Sequence, residues 1–205
     1  MRTVFWAVVM LGGIASAQTA SMRPLEAFSI KQDGLALRRH VEVGKPFTVA
    51  GAQGAMPGQQ EGTFEAWVLP IKLLSHFAIR AEVEGYSVPI DLNADAAEIE
   101  VFPDHTVITY SHIAFTVRQI MFAPDDGEDG TGAVVLFQID STRPMDLTFS
   151  FTPEMRPMWP QRSQGVPSAE WVKQGDGGFY VLHTDFPDLA GAVAMPNSQP
   201  GAAYR

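Results

Sequence analysis

The sequence predicts an all-β protein built as an antiparallel β-sandwich, and three observations support this prediction. First, apolar and polar residues alternate in four runs between Glu98 and Thr152, with the period of two that is typical of a half-buried strand. Second, the chain has 18 glycines and 15 prolines in 205 residues, as expected for a fold with many turns. Third, no helical period competes with the alternation in this stretch. Antiparallel sheets with one buried face follow from this pattern.

Residues 1–17 have the layout of a signal peptide. Arg2 is followed by an apolar run from Val4 to Ile14 and then by the small-residue site Ala15-Ser16-Ala17. We expect cleavage before Gln18 and export to the periplasm or the medium; an uncleaved anchor is the alternative. No later stretch reaches the ~18 apolar residues of a membrane span. We therefore expect no membrane association after cleavage.

After the leader, the sequence predicts a flexible N-terminal arm over residues 18–34 and one β-sandwich domain over residues 35–205. In the run 63–70, apolar residues alternate with Glu65 and Trp67, so a strand with one solvent-exposed face is expected there. The strands still alternate near the end of the chain. We therefore expect the sandwich to be incomplete at its C-terminus.

Four runs are expected to form an antiparallel meander within one sheet; they span residues 107–110, 113–122, 135–139 and 147–152. In the second run Ile113 falls on the predicted buried face. A turn that contains a proline separates the third run from the fourth.

Downstream of the meander, four prolines between residues 153 and 169 predict a loop, because proline cannot donate to a sheet ladder. A hairpin is then expected, with strands at 170–172 and 179–184 joined across Gly175-Asp176-Gly177-Gly178. A last strand is expected to begin at Ala190.

The composition excludes several classes of function. The chain has no cysteine, which removes disulfides, thiolate metal sites and thiol catalysis. Its formal net charge of −9 argues against binding to nucleic acid or to anionic membrane surfaces. Charged residues make up only 18% of the chain, which indicates a large fraction buried within the fold or covered by a partner.

No catalytic constellation and no metal site can be identified, and we expect no cofactor. The five histidines contain no His-x-His pair, which a jelly-roll metal site would use. No G-x-S-x-G motif occurs, and no carboxylate pair stands out as that of a glycosidase. The acidic segment 123–132 is expected to be a solvated loop; a calcium site is the alternative, although its carboxylates lack the usual spacing.

Trp159, Arg156 and Trp67 are the candidates for substrate binding. An indole ring offers a flat apolar platform with one N–H donor, which suits the C–H faces of sugar rings. Trp159 and Arg156 lie together in the proline-rich segment, where side chains can face a ligand or another domain. The alternative is that both tryptophans pack in the core or at an interface.

Three phrases of the sequence carry a family resemblance: EGTFEAWVLPIKLL (Glu61–Leu74), ITYSHIAFTVRQIMFAP (Ile108–Pro124) and DSTRPMDLTFSFTPEMRPMWP (Asp140–Pro160). From about Leu35 onward, the chain resembles the N-terminal β-sandwich region of bacterial six-hairpin glycosidase-like proteins. These are exported proteins related to glycogen-debranching and glucoamylase-type enzymes. The resemblance implies a supersandwich of antiparallel strands placed before an (α/α)6 barrel, and the barrel carries the catalytic carboxylates in such families.

The chain departs from this family pattern because no barrel follows within its 205 residues. It is then either a fragment of a longer protein or a truncated gene product, and no catalytic residue is carried over to it. We expect a non-catalytic N-terminal module of an exported carbohydrate-active, glycoside hydrolase-like protein, which braces the barrel and shapes its cleft. The alternatives are a free-standing periplasmic carbohydrate-binding module that uses Trp67 or Trp159, and a small independent hydrolase.

Overall fold

A computed structural model describes the backbone of residues 3–10 and the residues 34–124, 132–159, 165–186, 188–196 and 198–201. The strands in these ranges are β1 Thr3–Met10, β2 Leu37–His40, β3 Pro46–Ala50, β4 Gly54–Gln59, β5 Phe64–Val68, β6 Ile71–Val83, β7 Ile90–Asp91, β8 Ala96–Val101, β9 Thr106–His112, β10 Phe115–Phe122, β11 Gly132–Ser141, β12 Met145–Pro157, β13 Ser168–Gln174, β14 Gly177–His183 and β15 Ala190–Met195. A 3-10 turn, Leu92–Asp95, lies between β7 and β8, and the Asp91 carboxylate caps it by accepting from Asn93 N.

The strands form two antiparallel sheets that pack face to face, as predicted. The larger sheet has nine strands in the order β13-β14-β15-β1-β11-β10-β9-β8-β2. The smaller sheet has five strands in the order β12-β6-β5-β4-β3, and the short β7 pairs with β6 beside them. Side chains that alternate inward from both sheets fill the space between them, as in a β-sandwich.

Aromatic rings form the centre of the core. Phe77 of the smaller sheet lies 4.4 Å from Phe64 and 6.4 Å from Phe137 of the larger sheet, measured between ring centroids. Phe149 of β12 closes the group at 4.7 Å from Phe137. Such pairs add about 0.5–1.5 kcal/mol each beyond the burial of their area. These rings therefore fix how the two sheets face each other.

A second, smaller core cluster joins one end of the smaller sheet to β14 and β15. Its fully buried members include Leu73, Met155 and Leu182. Gly191 of β15 allows the close approach, because a Cβ there would lie 2.8 Å from Leu73 Cδ2 and 3.1 Å from Met155 Sδ. This cluster lies directly beneath the strand segment that carries Arg156.

A buried polar group connects the hairpin of β9 and β10 to the turn between β4 and β5. The Tyr110 hydroxyl donates to Gln119 Oε1 at 2.6 Å, and Gln119 Nε2 donates to the Gly62 carbonyl at 3.4 Å. Both side chains are fully buried, and burial raises the pKa of the Tyr110 phenol, so it stays a donor. Gly62 has φ 92°, and a Cβ on it would overlap the Tyr110 hydroxyl.

The structure corrects the predicted meander in its last strand. The first three runs form β9, β10 and β11 side by side, but the fourth run, β12, crosses to the other sheet and pairs with β6. A period of two specifies which face is buried and not which strand is the partner, so the sequence pattern cannot detect the crossing. Ile113 is also misassigned, since it lies at the two-residue tip of the β9–β10 hairpin and is 89% exposed.

The predicted loop over 153–169 is wrong in its first part. β12 continues through Pro157, and Met155 is fully buried. Two prolines are tolerated because β12 is an edge strand, because Pro153 adjoins a register shift, and because Pro157 ends the strand. Arg156 therefore lies on a strand, whereas Trp159 follows it in a bend.

Further along the chain, the hairpin prediction is confirmed. β13 and β14 pair from Ser168↔His183 to Gln174↔Gly177, across a turn in which Gly175 has φ 60°. The last strand begins at Ala190, as expected.

Three of the predicted segments lie wholly or mostly outside the described residues. They are the end of the leader, the N-terminal arm over 18–34, of which only Gly34 is described, and the acidic segment 123–132 between its ends. Cleavage before Gln18 stays a prediction. The structure places Thr3–Met10, which belong to the predicted leader, in the nine-stranded sheet between β11 and β15. In the described part of the chain no helix is long and apolar enough to cross a membrane.

Candidate functional site

Two of the three predicted site residues lie in one row across neighbouring strands of the smaller sheet. Trp67 of β5 is the register partner of Lys72 on β6, and Lys72 is also the partner of Arg156 on β12. Phe64, Ala66 and Val68 point into the core, so Trp67 projects from the opposite, outer face by the alternation of the strand. Trp67 and Arg156 are thus brought together by Lys72, which the sequence analysis did not single out.

The Glu65 carboxylate fixes the orientation of Trp67. Trp67 Nε1 donates to Glu65 Oε2 at 3.0 Å, and Lys72 Nζ donates to Glu65 Oε1 at 2.8 Å. The Lys72 ammonium also lies over the indole, 5.2 Å from the ring centroid, in cation–π geometry. The indole N–H is thereby used within the protein. A ligand at Trp67 would therefore meet the apolar surface of the ring.

The charge state of Glu65 follows from the same contacts. Partial burial raises the pKa of this carboxyl, but the hydrogen bonds from Lys72 and Trp67 and the nearby charges of Lys72 and His76 outweigh it, so the net shift is downward. Glu65 is consequently a carboxylate at neutral pH. A glycosidase general acid needs the opposite shift, toward a raised pKa.

A second carboxylate, Glu154, lies at the other end of the row. Ser75 Oγ donates to Glu154 Oε1 at 2.7 Å, and Arg156 NH2 approaches Glu154 Oε2 at 3.3 Å. His76 Nδ1 is 2.9 Å from the same Ser75 oxygen. A serine hydroxyl has one hydrogen, which here is donated to Glu154, so the pairing of Ser75 with His76 depends on the tautomer of the imidazole.

Backbone irregularities position this second group. His76 has φ 52° and Met155 has φ 45°, both in the left-handed region that side chains other than glycine rarely adopt. They lie at the two register shifts of the ladder between β6 and β12: His76 at the shift between Ser150 and Thr152, and Met155 at the shift between Pro153 and Arg156. The bulged backbone places Ser75 at 2% exposure while His76, next to it, is exposed. Strained backbone of this kind is found more often at functional positions than elsewhere.

An open cleft of about 440 Å³ adjoins the row on the side of β3 and β4. Glu65, which contacts Trp67 and Lys72, lines the cleft together with Ser75 and His76. The other lining residues are Pro46, Phe47, Thr48, Pro57, Gly58, Gln59, Thr63 and Phe64. Among the described residues, the buried Gln59 Oε1 has no hydrogen-bond partner.

Trp159 lies apart from the row, at the end of the smaller sheet. It is 84% exposed, next to Met158, which is 53% exposed. Met158 N donates to the Pro70 carbonyl at 2.7 Å, which ties this segment to the turn between β5 and β6 where Leu69 is 40% exposed. We call Leu69, Pro70, Met158 and Trp159 the end patch. Trp159 is therefore not a core residue, and the prediction of a side chain free to face a ligand or a domain remains open.

Other polar groups are part of the fold rather than of this site. His105 is buried, stacks on Phe102 at 4.2 Å between ring centroids and lies 2.6 Å from Asp104, whose pKa is lowered chiefly by that hydrogen bond. Across the described ranges, no group of three or more histidine, aspartate or glutamate side chains could hold a metal ion.

Sequence reasoning missed five residues of the site, namely Glu65, Lys72, Ser75, His76 and Glu154. A signal for two of them was present, since Glu65 and Trp67 are two apart on one strand face, and Lys72 follows directly after a tight turn. Ser75 and Glu154 are 79 residues apart in the chain. Their contact depends on the crossing of β12, which no local pattern predicts.

Comparison of the chain with protein-family models, with curated proteins and with solved structures gives no match.

Proposed function

We propose that this chain is the non-catalytic N-terminal β-sandwich module of an exported carbohydrate-active protein, which braces an (α/α)6 barrel and shapes its cleft. The observation that supports it most is the row of Trp67, Lys72 and Arg156 on the outer face of the smaller sheet. Two carboxylates bracket this row and hold its cations in place. The result is an oriented indole beside fixed donors and acceptors, which is the combination that sugar rings and hydroxyls require.

The non-catalytic part of the proposal is supported by the state of the same groups. Glu65 is held ionised and is engaged with Lys72, so it is unsuited to act as a general acid. Ser75 is 2% exposed, and its hydroxyl is already engaged in a hydrogen bond to Glu154. Within this face, the chemistry available is binding and orientation of a substrate whose reaction takes place elsewhere.

The end patch supports the part of the proposal that gives the module a surface for contact with the barrel. Leu69, Met158 and Trp159 are exposed together at one end of the smaller sheet. Grouped exposed apolar side chains mark sites for a partner or a ligand. In the proposed module they contact the neighbouring barrel. In the alternative, a free-standing periplasmic carbohydrate-binding module, the 84% exposure of Trp159 makes it the stacking platform.

Tryptophan fluorescence during titration of residues 18–205 with neutral oligosaccharides tests which ring meets sugar. Three tryptophans remain in this chain: Trp67, Trp159 and Trp171. We expect a saturable change that is lost in Trp67→Phe and kept in the control Trp171→Phe, because Trp171 packs against Tyr180 on β14, far along the other sheet.

The outcomes identify the ring that binds sugar. Loss of the signal only in Trp159→Phe favours Trp159 as the stacking platform of the free-standing module, whereas binding at Trp67 is compatible with both candidates. No change with any sugar in any variant contradicts a carbohydrate role for this face.

A further inference from the structure

The nine-stranded sheet contains a position that the domain does not fill with its own later strands. β11 pairs with β10 on one side, and β15 pairs with β14 on one side. The facing sides of β11 and β15 are one strand apart, and Thr3–Met10 lies between them. It forms eight register pairs with β11, from Thr3↔Ile139 to Met10↔Gly132, and three with β15, from Val8↔Ala194 to Met10↔Ala192. We call this position the strand slot.

Cleavage of the leader before Gln18, as predicted, empties the strand slot. The backbone N–H and C=O groups of β11 and β15 that face it then lose their partners. The strand affected most, β11, is central to the core, with Val135, Leu136 and Phe137 all buried at 4% exposure or less. Two unpaired edges facing each other across one strand width form a template for an incoming strand.

The topology indicates which strand enters. β13, β14 and β15 follow one another in the chain and add to the sheet one after another, each antiparallel to the last, toward the slot. The next strand of this meander would lie in the slot, antiparallel to β15, and the seating of Thr3–Met10 shows that this direction is also antiparallel to β11. Consecutive strands are neighbours in about two-thirds of cases. Residues 196–205 contain no apolar run that could supply such a strand.

We propose that the strand slot accepts the first strand that follows residue 205 in the longer polypeptide, so that the module and the remainder of that protein share one sheet. This inference rests on the proposed function, because it requires a longer protein. In the unprocessed chain, Thr3–Met10 occupies the same position. Removal of the leader therefore frees the slot, and the module completes its core only when the following segment is present.

Hydrogen exchange followed by mass spectrometry tests this in three proteins: the 205-residue chain, residues 18–205, and the processed product isolated from its source cells. In an antiparallel strand, every second amide faces each neighbour. In residues 18–205 we expect about half of the β11 amides to lose protection, since β10 still protects the others. In the 205-residue chain and in the cellular product, peptides from β11 and β15 should be fully protected.

Three outcomes would overturn the proposal. One is full protection of β11 in residues 18–205 as a monomer, which means that the slot closes unaided. Another is protection that appears only in a dimer, which assigns the slot to a second copy. The third is a cellular product in which β11 remains half exposed. A longer product with no glycosidase activity would count against the proposed function and leave the slot result intact.

A disulfide pair gives an independent measurement, because the chain has no cysteine of its own. Val134 and Ala194 both pair with Val8, so a strand between them keeps their Cα atoms about 10 Å apart, twice the strand spacing. Disulfides do not form beyond about 7 Å. We expect no crosslink in the cellular-length protein carrying Val134→Cys and Ala194→Cys. Efficient crosslinking there would show that β11 and β15 pair directly.

Discussion

Replacement of Tyr110 by phenylalanine tests the polar group that joins the two sheets. The variant removes one hydroxyl and no ring volume. The 2.6 Å hydrogen bond to Gln119 Oε1 is lost, and this oxygen then has no donor in a site where both side chains are fully buried. Leaving a buried acceptor unsatisfied costs about 1–3 kcal/mol, whereas loss of a solvent-exposed hydrogen bond costs far less. We therefore expect the free energy of unfolding to fall by about 1–3 kcal/mol.

Urea denaturation of the 205-residue chain, followed by circular dichroism, measures this change. For a domain of this size, 1 kcal/mol corresponds to about 2–4 °C in Tm, so thermal unfolding should shift down by ~2–12 °C. The matched control is Tyr86→Phe, because Tyr86 is 40% exposed and surface substitutions usually stay within about 0.5 kcal/mol. The combined variant Tyr110→Phe, Gln119→Leu should cost less than the sum of its single changes, because both partners of one buried bond are removed together.

Two results would refute this reasoning. If Tyr110→Phe unfolds at the same urea concentration as the unmodified protein, the hydroxyl does not satisfy a buried acceptor. If the two single changes are strictly additive in the combined variant, Tyr110 and Gln119 are not energetically coupled.

The remaining predictions concern the row and the glycine turn that contacts Tyr110. The lowered pKa of Glu65 stabilises the fold above the unfolded pKa of about 4.5, and this stabilisation is lost as the pH falls through the folded pKa. The free energy of unfolding of Glu65→Gln should therefore fall less steeply on acidification than that of the unmodified protein. An unchanged pH dependence contradicts the ion pair. Lys72→Met removes the cation over the neighbouring indole and should shift tryptophan emission with less than about 1 kcal/mol lost, as for a partly exposed pair; an unchanged spectrum contradicts the contact. Gly62→Ala should cost at least about 2 kcal/mol, since it combines a strained φ with overlap of the Tyr110 hydroxyl. The same change at Gly175, where φ is also positive but the space is open, should cost about 1 kcal/mol, and equal costs would contradict the overlap.

Sequence periodicity predicted the strands whose partners are adjacent in the chain. Phe115, Val117 and Met121 were expected on one buried face, and all three are at 3% exposure or less. The turn at Gly175 was identified from its residue types alone. These features are local, because alternation fixes a face and glycine fixes a turn.

The partner of β12 could not be predicted in the same way. The alternation of its residues is compatible with pairing to β6 or to β11. The pairing is therefore decided by tertiary packing, in which Phe149 and Met155 take part. The candidate site depends on this pairing. Arg156 was identified because it lies beside Trp159 in a proline-rich segment, whereas its neighbours Lys72 and Glu154 become recognisable only once β5, β6 and β12 lie side by side.

The proposed function requires a longer protein, and the size of the product in its source cells measures this directly. An antibody raised against residues 18–205 would be used to blot whole-cell and medium fractions. The account predicts a band several times larger than the 22.3 kDa of this chain, large enough to hold an (α/α)6 barrel. A band at the size of the processed chain alone would contradict it, and binding of carbohydrate by Trp67 or Trp159 would then become the leading explanation.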